Sequence, residues 1–488
     1  MSVNGDAENQ DNSEDGYASA EEEPREDEEQ EEPETSEEEE QYLLHRSVFL
    51  DDKKTLSQLL RQPDKYDISQ KDKHGNTPLH LSVMLGRKAL THLLLAHHAP
   101  VKVKNSEGWS ALSEAISYGD RQTITSVLRA LKNQTRKQMQ ERRGNLIEAL
   151  NQIGNFYMEL KWDFHSWVPL VSRILPSDVC KIHKSGAKIR LDTTLVDFTD
   201  MKWERGDISF IFRGDKNPSE SLTVLDNEYK CFQRIRHEES EHEIEDEVDV
   251  LMSSDILAAQ MSTKQINFAR AQSGWFFRAD KKEVVAGQYN SDLFTINGLV
   301  LKSRKRREHL SSDDLQKNKL LVESFTKGSS NSSTGSLTPD GYGSLKNEPS
   351  EVSRRSSLIP PPETKITWED YINAEVGEMP PIGRKMVYKE SSKHFKATVS
   401  MSTDFPLSIE MLLNVLEVIA PFKQFTKLRE FITLKLPSGF PVKIEIPILR
   451  TVSAKITFQR FDFQDNISDA LFEVPSDYVE DSRRFPEL

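Results

Sequence analysis

His74-GNTPLHLSVMLGRKALTHLLLAHHAPVKVKN, ending at Asn105, is followed by Glu107-GWSALSEAISYGDRQTITSVLRALKN, ending at Asn133. Gly75 and Gly108 are 33 residues apart, and so are Leu79 and Leu112, and Gly86 and Gly119. A fixed period of this length marks a stack of repeated units, each one small supersecondary element. Thr77 suits the cap of a short helix, and Pro78 suits its first position, where a missing N–H costs nothing. Leu79, Val83, Leu90, Leu93 and Leu94 give a helix pair an apolar flank that only a neighbouring unit can bury. Gly86 fits the tight turn between the two helices.

Thr77-Pro78-Leu79-His80 matches the ankyrin signature, in which the histidine ties the turns together by hydrogen bonds. An imperfect earlier unit, Leu43-LHRSVFLDDKKTLSQLLRQPD, sets Leu44-His45 ahead of Leu59-Leu60. The third unit departs from the pattern at Ser110-Ala111-Leu112-Ser113 and reads as a terminal cap. About three ankyrin units are expected over 41–132, near the minimum for a stable stack. The residues expected to build it are Thr77, Pro78, Leu79, His80, Gly86, Leu112 and Gly119.

Charge is distributed unevenly. The chain of 488 residues carries 64 Lys+Arg against 79 Asp+Glu, a net charge of −15. Residues 1–40 alone hold nineteen carboxylates against Arg25, so they contribute −18 and leave +3 on the rest. That arm reads as disordered and solubilising. Only Cys180 and Cys231 occur, which points to a reducing compartment. The start MSVNGDAENQ has no secretory pattern, and no apolar run reaches membrane-span length; Leu407–Ala420 is interrupted by Glu410 and Glu417. Any membrane attachment is expected to be peripheral.

Beyond the repeats, 133–160 reads as a connecting helix with Leu146, Leu150, Ile153 and Tyr157 on one stripe. Its basic run Arg136, Lys137, Arg142, Arg143 reads as a solvated face. From Lys161 the period becomes strand-like, with turns at Ser185-Gly186, Gly206-Asp207 and Gly214-Asp215. No long helix separates these strands, so 161–307 is expected to be mainly antiparallel sheet. Within it the acidic run 238–249 reads as a loop, Asp249–Met261 as a helix, and Trp275-Phe276-Phe277-Arg278 as a strand. Residues 308–362 read as a disordered Ser/Pro-rich linker. In it Thr338, Ser356 and Ser357 have the shape of kinase substrates. The sheet resumes over 363–475, with a short helix at Trp368, a helix at Leu407–Ala420, and strands at Phe431–Leu436, Val442–Pro447 and Ala454–Phe458. Residues 476–488 read as an acidic tail. The fold class expected is multidomain α+β: a short all-α ankyrin stack, then a β-rich domain interrupted by a linker.

The sequence offers little catalytic chemistry. No Gly-x-Gly-x-x-Gly or Walker lysine loop is present. His237-Glu238-Glu239-Ser240-Glu241-His242 spaces its histidines five apart, so they do not share one helical face to grip a metal. Cys180 and His183 lack a second close pair. A basic, aromatic surface for nucleic acid is absent. The expectation is a protein that binds other proteins, with no catalytic residue, metal, cofactor or nucleic acid.

Three long phrases carry a more specific likeness. The repeats, then Asn155-FYMELKWDFHSWVPLVSRILPSDVCKIHKSGAKIRLD and Trp203-ERGDISFIFRGD, then Pro380-PIGRKMVYKESSKHFKATVSMSTDFPL and Phe440-PVKIEIPI, resemble the ankyrin repeat domain 13 family. The resemblance covers roughly 43–475 and implies the family's GPCR-chaperone domain. It implies a peripheral protein on the cytoplasmic side of the endoplasmic reticulum membrane that retains newly made G-protein-coupled receptors through their cytoplasmic segments, or holds other membrane cargo. Other members of the family carry ubiquitin-interacting motifs and act in receptor endocytosis. Asp246-EVDVLMSSDILAA fits such a motif poorly, because its alanine and serine are misplaced.

Overall fold

Thr77, Pro78 and His80 open the first helix of the second unit. Pro78 is the first helical residue, and His80 Nδ1 accepts the Thr77 backbone N–H at 3.2 Å. That leaves Nε2–H to donate to the Trp109 carbonyl of the next unit at 3.1 Å, so one ring joins two repeats. Burial holds the His80 imidazole down to about 4, which keeps the neutral tautomer this arrangement needs.

In the computed structural model, the residues described are 41–166, 175–199, 202–235, 239–262, 265–273, 279–327, 354–411, 436–447 and 452–485. Residues 41–43 belong to a separate N-terminal unit, and Leu44–Leu488 form a second one. The repeats are three helix pairs: α1 (Leu43–Phe49) with α2 (Lys53–Leu59), α3 (Pro78–Met84) with α4 (Lys88–Ala96), and α5 (Ala111–Tyr118) with α6 (Arg121–Gln152). Leu79, Leu81, Leu90, Leu94, Ala111, Ala115, Ile124 and Val127 are fully buried between them. Gly86 has φ +67°, and the Tyr118 ring fills the space where its side chain would stand.

The third pair does not end as a simple cap. Its second helix, α6, runs 32 residues, about 48 Å at 1.5 Å per residue. The first half packs on the repeats through Ile124, Val127 and Leu128. The far end puts Ala149, Leu150 and Ile153 into an aromatic core with Tyr289, Phe405, Phe440 and Phe461. Phe405 and Phe440 stack there with centroids 4.2 Å apart. The helix stops before the boundary expected at 160, because Gly154-Asn155 breaks it and strand pairing takes over. Lys184, buried, donates to the Ile153 and Gly154 carbonyls, a cation at the end of the helix where the dipole favours one.

The sheet starts with β1 (Phe156–Ser166), β2 (Ser177–Ser185), β3 (Lys188–Thr199), β4 (Lys202–Arg213), β5 (Leu222–Asp226) and β6 (Cys231–Arg234). Helix α7 (Glu241–Ser253) follows, then β7 (Ile256–Ser262), β8 (Asn267–Arg270), β9 (Gln272–Ser273), β10 (Ala279–Asp280), β11 (Lys282–Val285) and the 18-residue β12 (Tyr289–Arg306). After α8 (Ser312–Lys327) and α9 (Trp368–Ile372) come β13 (Tyr388–Ser402), β14 (Phe440–Pro447), β15 (Val452–Phe463) and β16 (Val479–Glu480). Fourteen described strands form one sheet, ordered β11-β12-β13-β14-β15-β1-β2-β3-β4-β5-β6-β16, with β7 and β8 also on β12. Every pairing within it is antiparallel except β16 on β6. The two sequence blocks therefore interleave: β13–β15 lie between β12 and β1.

Several expectations are corrected. Within the acidic run 238–249, residues 241–249 are not a loop but most of α7, opened by a Ser240/Glu243 capping box, with Ile244, Val248 and Met252 buried at helical spacing. Asp249–Met261 is accordingly the end of that helix followed by β7. Two parts of 308–362 are not linker: α8 lies within it, and 354–362 is docked on the repeats. The 476–488 tail is partly structured: β16 pairs with β6, and Arg484 binds Asp226 at 2.7 Å. Trp275–Arg278, Leu412–Ala420 and Phe431–Lys435 fall outside the described residues.

Leu79 is fully buried, whereas its 33-residue counterpart Leu112 is only partly so. Leu79→Ala is expected to cost about 2–5 kcal/mol and Leu112→Ala clearly less, measured by chemical denaturation. The buried histidines set a pH response. An unfolded histidine takes a proton near about 6.5, whereas folded His80 does so only at about 4, and burial lowers His45 as well. Over that window the unfolded chain binds more protons, so the melting temperature should fall as pH drops from 6.5 towards 4.5. A flat profile there would contradict neutral buried rings.

Candidate interaction site: the repeat face and the strap that covers it

Repeat stacks build extended surfaces suited to holding other proteins. In this chain the face presented by the first helix of each pair is met by β12 and by a strap, residues 354–387, that precedes β13.

The contact from β12 is a buried ion cluster. Glu114 stands on α5 in the sequence Ala111-Leu-Ser-Glu-Ala-Ile-Ser117, a carboxylate among small and apolar neighbours. Arg306, the last residue of β12, binds it with both terminal nitrogens, at 2.8 and 3.1 Å, and binds Glu308 at 2.6 Å. Arg306 is 1% exposed and Glu114 4%. The guanidinium also lies 5.0 Å from the centre of the Trp109 ring. Burial pushes the Glu114 carboxyl up against the pull of Arg306. Burial pushes Glu308 up too, but the Arg306 charge and the Ser117 hydroxyl, donating at 2.7 Å, outweigh it and hold that carboxyl down.

The strap crosses the three repeats at separate points. At the loop ahead of α3, Tyr371 is fully buried: its hydroxyl donates to Asp72 Oδ2 at 2.7 Å and accepts from Asn76 Nδ2 at 2.8 Å. Burial, and then the Asp72 carboxylate, push that hydroxyl far above the ordinary tyrosine value, so it stays a donor. The Tyr371 carbonyl binds His74 Nε2 at 2.9 Å, while Trp368 and Tyr371 pack on Phe49 with centroids 5.6 and 5.5 Å apart. A Thr367/Asp370 capping box sets up the one and a half turns of α9 that aim both rings the same way. At the end of α5, Arg384 donates to the Ser117 and Tyr118 carbonyls and back to Ile359 within the strap. At the start of α6, the Leu358 N–H donates to the Gly119 carbonyl at 2.8 Å. Gly119 has φ +88° and the Leu358 side chain lies on it, so a Cβ there would clash.

A seam of charge closes the far end. Of the basic run expected to be solvated, Lys137 is exposed, whereas Arg136 binds Glu239; nearer the start of α6, Arg121 binds Glu245 and Asp249, and Lys132 binds Glu239 and Glu247. Arg143 reaches the carbonyls around Gly214. On the strap, Arg354 joins Asp246 and Asp249, and Arg355 joins Asp314. Each pair is partly exposed and modest alone.

The residues singled out from sequence fall into two groups. Thr77, Pro78, Leu79, His80, Gly86 and Gly119 lie inside the stack or at its turns, with Leu112 at its margin. Ser356 and Ser357 are exposed on the strap, and Thr338 falls outside the described residues. Asp72, Asn76, Glu114, Arg306, Trp368 and Tyr371 carry the face and were missed. Only the capping pattern at Thr367 and the lone carboxylate at Glu114 hinted at them. Both cysteines are buried and free. Among the described residues no group of three or more His, Cys, Asp or Glu side chains is placed to hold a metal, and no helix is long and apolar enough to cross a membrane.

Removing one member of the buried cluster strands the others. Arg306→Met should cost about 3–5 kcal/mol, and pairing it with Glu114→Leu should recover part of that loss. Denaturation of the single and double variants measures both; additive losses would contradict the coupling.

Comparison with known proteins agrees with this two-part construction. Residues 44–138 match the ankyrin repeats (3 copies) family, and 190–484 match the ANKRD13 C-terminal family. Ankyrin repeat domain-containing protein 13C from Homo sapiens is 59% identical over 92% of this chain and 79% of its own length. The Mus musculus 13C protein is 60% identical over the same shares. Ankyrin repeat domain-containing protein 13B from Homo sapiens is 35% identical over 86% of this chain and 67% of its own. Repeats, sheet module and near full-length likeness together make this chain a member of the ANKRD13 family.

Proposed function

We propose that this chain is a non-catalytic binding factor that holds newly made G-protein-coupled receptors, through their cytoplasmic segments, at the cytoplasmic face of the endoplasmic reticulum, and regulates their maturation and exit. The observation that supports it most is likeness to 13C proteins along 92% of the chain, repeats and C-terminal module together. The family role implied by the sequence resemblance supplies the client class. The construction suits binding: a repeat stack joined to a broad sheet through a helix anchored in both cores. Exposed apolar side chains such as Leu257, Val284 and Val387 offer further contact surface. Attachment to the membrane is proposed as peripheral.

Proximity labelling in cells, followed by capture from membrane fractions, should recover immature, core-glycosylated receptors. Recovery of cytosolic partners alone would overturn the reading. Saturable binding of ubiquitin or linked ubiquitin chains by the purified protein would favour a trafficking adaptor in its place.

A further inference from the structure

The strap is anchored at its start by a serine in a crowded electrostatic setting. We propose that Ser357 is a phosphorylation site whose modification releases residues 354–384 from the repeat face. Ser357 is exposed and has arginines three and two positions before it, a pattern that basophilic kinases select. Docked, its hydroxyl makes two contacts: Oγ accepts the Arg121 backbone N–H at 2.9 Å and donates to Asp120 Oδ1 at 3.2 Å. Asp120 is the N-cap of α6 and already accepts from Thr123 N, Thr123 Oγ1 and Lys88 Nζ.

The transfer moves the γ-phosphoryl group of a nucleoside triphosphate to Oγ. An O–P ester bond forms, the β–γ bridging P–O bond breaks, the hydroxyl proton leaves, and the nucleoside diphosphate departs. The product oxygen has no hydrogen to give Asp120, and nearly two negative charges arrive beside that carboxylate. A helix N-terminus attracts anions, but Asp120 already occupies this one. The surrounding cations are engaged: Lys88 with Asp120, Arg121 with Glu245 and Asp249, Arg354 with Asp246 and Asp249, Arg355 with Asp314. Arg384 is committed to three carbonyls. Repulsion therefore outweighs capture, and the strap leaves.

Access follows the same logic. While docked, Arg354 and Arg355 are held by carboxylates of α7 and α8, so a kinase reads them when the strap opens locally. Phosphate then prevents return. Departure uncovers the Asp72, His74, Asn76 and Phe49 surface that Tyr371 and Trp368 fill. This latch is independent of which partner the protein holds.

The test uses the full chain, a basophilic serine/threonine kinase with Mg-ATP, peptide mapping of the modified site, and hydrogen exchange. Phosphorylation at Ser357 should raise exchange of the Tyr371 and Asn373 amides, and of the repeat face at 72–76, about tenfold or more. Ser357→Ala removes the acceptor of the phosphoryl group, so kinase treatment should leave the exchange of that variant where it stood before treatment. Unchanged or reduced exchange after modification would overturn the proposal. So would a kinase that modifies Ser356 alone or leaves Ser357 untouched.

Discussion

The Arg306–Glu114 pair fixes how the two halves of the molecule meet. A guanidinium and a carboxylate, both almost wholly out of water, are tolerable only if each satisfies the other. Their fork-to-fork geometry works in one relative position, so the end of β12 has to sit at the first helix of the third repeat. Trp109 and Glu308 tighten that requirement by taking the remaining faces of the guanidinium. Whatever the pair contributes to stability, it specifies register between repeats and sheet. A greasy contact of equal area would allow sliding.

That register lets the strap work as a covering element. The repeat face most suited to holding another protein is occupied from within, by aromatic side chains at one end and by charge at the other. The two ends differ in character. Tyr371 and Trp368 are dry and depend on shape, whereas Arg354, Arg355 and Ser357 lie in partly exposed territory where added charge or salt changes the balance.

The sequence makes the repeats legible because their information is local. A 33-residue period, a Thr-Pro start and a glycine turn all act within a few residues of themselves. Strands such as β14 and β15 are legible for the same reason, but their order is not, since nothing in β1 announces that its neighbour will be β15. In α7 the run of charge masks Ile244, Val248 and Met252, which repeat at helical spacing. Arg306 is one basic residue among several in Lys302-SRKRR, and residues 354–362 read as linker, because their order comes wholly from distant partners. The face is built from long-range pairs such as Tyr371 with Asp72, and a single sequence does not display those.

The interleaved sheet has a consequence for how the molecule is made. Ser166 of β1 lies opposite Val452 of β15, and Arg306 of β12 lies opposite Tyr388 of β13. At about 5–20 residues per second on the ribosome, β1 waits roughly 15–60 s for its neighbour to be synthesised, and β12 waits about 4–16 s. During that interval the nascent chain carries two unpaired strand edges, each able to join a foreign strand. The polypeptide is thus at its most aggregation-prone while still being translated, and a holding chaperone has the most to offer it then.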